Sequence, residues 1–214
     1  MCGLAGVIHR NGNSKIGEEM SSMLQAMKHR GPDSTGFALY CERNEGHADQ
    51  YFMRMKVAES HDTAKGYDIH AKMEERIKNV ELRLKELNVK VLEAEKITDY
   101  ALRYTFNCDG NLRQLANYVE DGEGVEILSI GKGLELVKDL GDATVVSDLY
   151  SLNSFNGTHA IGHTRMATES DVDIRSAHPY WAYPFADVSV VHNGQLTNYW
   201  SKRRELERNG HRFR

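Results

Sequence analysis

The feature that most constrains this 214-residue chain is the stretch Gly3-Leu4-Ala5-Gly6-Val7-Ile8, which follows Met1-Cys2 directly and carries no charge. It is too short for a signal-peptide core and has no basic leader, so it is expected to fold as a strand buried on both faces. Its position matters as much as its composition. Loss of Met1 would leave Cys2 with a thiol and a free α-amino group, a nucleophile carrying its own base. The two groups have ordinary pKa values of about 8.5 and about 7.7 to 8.0, so a proton can pass from sulfur to nitrogen at little cost.

Charge excludes several function classes. With 27 Lys and Arg against 31 Asp and Glu the net charge is −4, and both signs are spread along the chain. Such a chain has no basic field for nucleic acid or an anionic membrane, and Lys202-Arg203-Arg204 reads as a solvated helix face. No stretch approaches transmembrane length, and a cytoplasmic location is expected. Cys2, Cys41 and Cys108 are an odd number at no metal-ligand spacing, so neither a disulfide framework nor a zinc site is expected, and Cys41 and Cys108 are read as buried small hydrophobes.

Periodicity supplies the elements. Met20, Met23, Leu24 and Met27 predict a helix over about 17–28, ended by His29-Arg30-Gly31-Pro32-Asp33, and residues 37–41 predict a second strand. Met73, Ile77, Val80, Leu84 and Leu87 step by three and four and predict an amphipathic helix over about 69–87. Strands follow at 89–94, 100–106 and 125–130 with a helix at 111–120 between them. Residues 67–131 are therefore expected to form a compact α+β unit inserted into the main domain. A strand at 134–137, a helix at 143–152, strands at 160–164 and 188–192, and a helix at 197–209 capped by Gly210 complete the pattern.

Both of those late strands run into polar clusters, Gly162-His163-Thr164-Arg165-Met166-Ala167-Thr168 and Val191-His192-Asn193-Gly194-Gln195. Reactive groups at the ends of apolar strands sit on a rigid support. With Met1-Cys2-Gly3-Leu4-Ala5-Gly6 and His29 through Gly36, these segments make the chain resemble the class II glutamine amidotransferases, whose mature N-terminus is the catalytic cysteine. The resemblance covers roughly the first 45 and last 60 residues; Ala167-Thr168-Glu169-Ser170 and His178-Pro179-Tyr180 look most like the stand-alone branch related to glutamate synthase glutaminase domains.

The resemblance implies an α+β fold over 1–214, a four-layer αββα sandwich of the N-terminal-nucleophile type. It implies hydrolysis of L-glutamine through a thioester on Cys2, with Asn193 and Gly194 as oxyanion donors. Arg165 would take the α-carboxylate, with Thr168 beside it. Arg30 would favour the thiolate, Asp33 would hold the turn, and His178 would shape a loop over the site. His163 and His192 read as structural histidines. The family also uses an aspartate that would fall near position 218, beyond Arg214, and a continuation carrying it is expected. A synthase partner subunit receiving ammonia, flavin-containing as in glutamate synthase, is implied too. Two alternatives stay open: an amidohydrolase of the same type for another amide, and a catalytically silent regulatory or binding subunit.

Overall fold

The computed structural model describes residues 2–42, 49–59, 62, 69–167, 172–211 and 213. Met1 and Thr168 lie outside the described residues. Among those described, two four-stranded antiparallel sheets, a two-stranded ribbon and five α-helices give a mixed α+β fold.

The first sheet has the order β1-β8-β2-β7, formed by β1 (Gly3–Ile8), β8 (His159–Arg165), β2 (Ser34–Tyr40) and β7 (Leu134–Leu140). One face meets α1 (Ile16–Ala26) and α4 (Ala143–Leu149). On α1 the i, i+4, i+8 series Ile16, Met20, Leu24 is fully buried and packs in one cluster with Phe37, Leu39, Val137, Val146 and Ala160. Asp142 caps α4, its side chain accepting from the Thr144 and Val145 amides at 3.1 and 3.2 Å. The strand expected to be buried on both faces is instead an edge strand, with Leu4 and Ile8 exposed and Ala5 buried, because only β8 pairs with it.

The second sheet has the order β4-β5-β3-β6, formed by β4 (Lys90–Lys96), β5 (Ala101–Asn107), β3 (Gln50–Lys56) and β6 (Glu126–Gly131). Met53, Met55, Tyr104 and Phe106 pack in a core cluster with Met73, Val80 and Leu84 of α2 (Ile69–Glu86) and Leu115 and Val119 of α3 (Leu112–Glu120). Residues 67–131 therefore do not close on themselves: β3, absent from the sequence expectation, lies between β5 and β6. The signal was there as Tyr51, Met53 and Met55 at every second position. It was masked by Arg54 and Lys56, which are buried on the opposite face. Arg54 Nε and Arg103 Nε both donate to Glu135 Oε2 of β7, at 2.7 and 2.8 Å. Burial pushes the Glu135 carboxyl up, but the two guanidiniums prevail and hold it below the usual range.

After β8 the chain crosses the first sheet over Gly36 of β2. β9 (Tyr180–Trp181) pairs only with β10 (Ser189–Val190), so the strand expected over 188–192 shrinks to two residues. Asp187 fixes this crossing, accepting from the Gly133 and Leu134 amides at 2.8 and 2.9 Å. α5 (Tyr199–Arg208) follows and buries no residue, in keeping with its charged sequence. No helix among the described residues is long and apolar enough to cross a membrane. Cys41 and Cys108 are half-buried, more open than expected.

Candidate active site

The site forms where β1 begins and β8 ends. In this antiparallel pair Gly3 faces Thr164, so Cys2, one residue earlier, falls beside Arg165. Register alone thus sets residue 2 across from residue 165, since a slip of one residue would reverse every side chain on the strand. The half-buried Cys2 thiol points to the Met166 carbonyl at 3.9 Å, a weak contact that leaves the sulfur available.

The turn at 28–33 locks against the same place. Lys28–Arg30 form a single 3-10 turn, and Gly31 is buried where a Cβ would come within 2.6 Å of the Thr164 and Arg165 backbone. Only glycine permits that approach. Asp33 then ties three segments together. Its amide donates to the Arg165 carbonyl at 3.1 Å, its carbonyl accepts from the Gly141 amide at 3.0 Å, and its carboxylate accepts from the Ala167 amide at 2.7 Å. The last is a charge-assisted bond that fixes the backbone just past Arg165. Arg30 lies half-buried in this turn, its Nε buried without a hydrogen-bond partner among the described residues.

From the other side comes the exposed segment 192–195. The Asn193 Nδ2 donates to the Cys2 carbonyl at 3.2 Å, joining residues 191 apart in sequence. An amide nitrogen has two hydrogens, so one donor remains after this bond. Gly194 is exposed beside it, with the His192 ring 3.0 Å from where its Cβ would stand. The structure therefore brings Cys2, Asp33, Arg165, Asn193 and Gly194 to one end of the first sheet.

His178 stands one step inward. Gly36 of β2 allows the His178 carbonyl to lie 2.1 Å from where a Cβ would be, which presses this segment onto the sheet. The His178 ring meets His163 edge-on at 4.7 Å and Tyr180 at 4.5 Å. Burial, with the Arg165 charge in support, pushes His163 down to about 4. Burial, with the His163, Lys138 and Arg165 charges, does the same to His178. Both rings are thus neutral near pH 7, lining the floor behind a permanent cation. The roles of Gly36 and of the Met166 and Ala167 backbone arise from packing and leave no compositional trace. Among the described residues no group of three or more His, Cys, Asp or Glu side chains could hold a metal ion.

Comparison with known proteins gives the family. No family model matches the chain. A protein of Methanothermobacter thermautotrophicus, named provisionally as a glutamine amidotransferase, is 36% identical over 218 residues, taking in 100% of this chain and 67% of that protein. The chain belongs to the class II glutamine amidotransferase family. Glutamine amidotransferase-like protein GlxB of Rhizobium meliloti is 33% identical over 215 residues, covering 100% of this family member and 65% of GlxB. Amidophosphoribosyltransferase 2, chloroplastic, of Arabidopsis thaliana is 34% identical over 103 residues, 48% of this chain and 18% of that enzyme. This class II chain therefore spans about two thirds of the first two relatives and shares only a part with the amidophosphoribosyltransferase.

Proposed function

We propose that the chain is the glutaminase part of an amidotransferase, hydrolysing L-glutamine to glutamate and ammonia through a γ-glutamyl thioester on Cys2. The observation that carries this reading is the Asn193 side chain bonded to Cys2 across 191 residues, at the strand end that also bears Arg165.

With Met1 removed, the Cys2 α-amine takes the thiol proton and the thiolate attacks the glutamine δ-carboxamide carbon. The carbonyl oxygen becomes an oxyanion, received by the free Asn193 N–H and the Gly194 amide, donors of a kind worth about 2.7 to 4 kcal/mol each. The α-ammonium returns its proton to the departing nitrogen, ammonia leaves, and water cleaves the thioester to regenerate the thiol. Arg165, a planar permanent cation, takes the substrate α-carboxylate, and Thr168 adds a contact beside it. Arg30 favours the thiolate, Asp33 fixes the turn, and His178 shapes the floor. No metal or cofactor enters these steps.

The same reading places the chain in a four-layer αββα sandwich, supported by α1 and α4 packing on one sheet and α2 and α3 on the other. It treats residues 1–214 as belonging to one amidotransferase domain, with the second sheet integral to it rather than inserted. Free ammonia would be protonated and lost, so a synthase partner subunit, flavin-containing in a glutamate-synthase-like complex, is its natural recipient in a cytoplasmic setting.

Intact-mass measurement and 6-diazo-5-oxo-L-norleucine labelling test the chemistry together. The expected result is a mass lower by one methionine and an adduct confined to Cys2, with glutaminase activity falling by about 10⁴-fold or more in Cys2→Ala. Retention of Met1 without labelling would favour a silent binding subunit. Activity on another amide but not on glutamine would favour a different amidohydrolase.

A further inference from the structure

A cavity of about 520 Å³ opens between β6 and the segment that crosses the first sheet, beyond His178 and Tyr180 and away from Cys2. Its inner wall is a charge cluster of unusual looseness. Lys56 and Lys138, both almost fully buried, share the carboxylate of Glu126 at 3.7 and 3.5 Å. Arg175 approaches the same carboxylate at 3.9 Å and Glu59 at 3.8 Å. All four separations exceed the 2.7 to 2.9 Å typical of a closed charge-assisted bond. Glu126 Oε2 is buried and accepts no hydrogen bond among the described residues. Lys138 also donates to the Arg175 carbonyl at 3.3 Å and lies 4.9 Å above the Tyr180 ring. Burial pushes this ammonium down from its ordinary value, with Lys56 adding to the effect and Glu126 and Asp173 opposing it.

Leu128, Trp181 and Tyr183 also line the cavity. The two aromatic rings are held edge to face at 5.5 Å, with the Trp181 indole N–H donating to the Phe185 carbonyl and the Tyr183 hydroxyl to Asn117 Oδ1. Their polar groups are occupied, so they offer the cavity apolar surface. The rim carboxylates are engaged elsewhere: Glu123 pairs with Lys72 and Arg76, and Glu120 accepts from the Ile127 amide.

A buried carboxylate oxygen with no hydrogen bond among the described residues, two cations held to their carboxylates only at 3.5 Å or more and a wall with aromatic rings, all around one cavity, suit a ligand bearing both charges on a short frame. We propose that this cavity binds a free α-amino acid as its zwitterion. The ligand ammonium donates to Glu126 Oε2, its carboxylate bridges Lys138 and Arg175, and its side chain lies on Trp181 and Tyr183. The site is separate from the cysteine end of the sheet. The stack Tyr180–His178–His163 joins it to that end, so an occupant would bear on the floor behind Arg165.

The test reads Trp181 fluorescence in full-chain protein carrying Trp200→Phe, which leaves a single indole, and Cys2→Ala, which removes acyl chemistry. The result then stands whether or not Cys2 is a nucleophile. L-glutamate, L-alanine, 2-oxoglutarate and n-butylamine are each titrated to about 10 mM. Saturable binding is expected for the amino acids only, weakened by about tenfold or more in Glu126→Gln and Lys138→Met and unchanged in Arg165→Ala. Should Lys138→Met fail to fold, Arg175→Gln at the exposed rim tests the same carboxylate contact. No saturable response, equal binding of 2-oxoglutarate or n-butylamine, or loss with Arg165→Ala alone would overturn the proposal.

Discussion

The two sides of the candidate site are built on opposite plans. The floor, made by Cys2, Asp33 and Arg165, rests on a paired strand and a turn that closes three hydrogen bonds around Asp33. The arm, made by Asn193 and Gly194, is exposed and reaches the floor through the Asn193 bond to the Cys2 carbonyl. A nucleophile and a charge clamp gain from rigidity because a displacement of about 1 Å costs about 10²-fold in rate. Donors needed only when charge develops can be supplied by a segment that opens for substrate and product. The contrast predicts that changes in the arm alter activity with little loss of stability, and changes in the floor reduce stability first.

The largest separation is expected from Asn193→Ala. It should lower glutaminase kcat by about 10² to 10³-fold while the melting temperature stays within about 1 °C, because the side chain is exposed. A melting loss comparable to that of a floor variant would erase the distinction. Next comes Gly36→Ala, whose Cβ would meet the His178 carbonyl at 2.1 Å. Displacing that strand crossing should destabilise the protein by about 2 to 4 kcal/mol in urea unfolding. An unchanged midpoint would show that the crossing is not pressed on the sheet.

Asp33→Asn keeps the shape but exchanges a charge-assisted acceptor for a neutral one at the Ala167 amide. Stability should fall by about 1 to 2 kcal/mol, and activity should fall with it through misplacement of Arg165. The smallest effect concerns pH. His163 and His178 are held near 4 in the fold against an ordinary value of 6.5, so the unfolded chain binds more protons below that value. Their contribution is complete above about pH 6.5 and is lost as pH falls toward 4. Melting temperatures between pH 7.5 and 4.5 should show the decline, and His163→Asn should flatten it.

Much of this was readable from residue order. The i, i+4 spacing of Met20 and Leu24, the alternation in 101–107 and the glycine-proline turn at 31–32 each declare a local structure that packing did not overrule. The strand 50–56 escaped because its second face carries Arg54 and Lys56, residues that usually mean solvent but here find Glu135 and Glu126 in other elements. Partners that far apart leave no mark on a short window of sequence. The site divided in the same way. Cys2, Arg165 and Asn193 could be named from type and position, whereas the value of Gly31 and Gly36 comes from backbone approaching them from elsewhere. The cluster of Lys56, Glu126, Lys138 and Arg175 was equally hidden, being drawn from four separate segments.

The register of β1 on β8 ends one residue short of Cys2, so the sheet works as a ruler whose zero mark is the thiol. Inserting a residue between Cys2 and Leu4 would move the sulfur by a strand step of about 3.3 Å and turn it to the opposite face. Under the proposed chemistry even a silent extension ahead of Cys2 would both block the base and occupy the space meant for substrate. An affinity tag or fusion partner belongs at the other end of this protein.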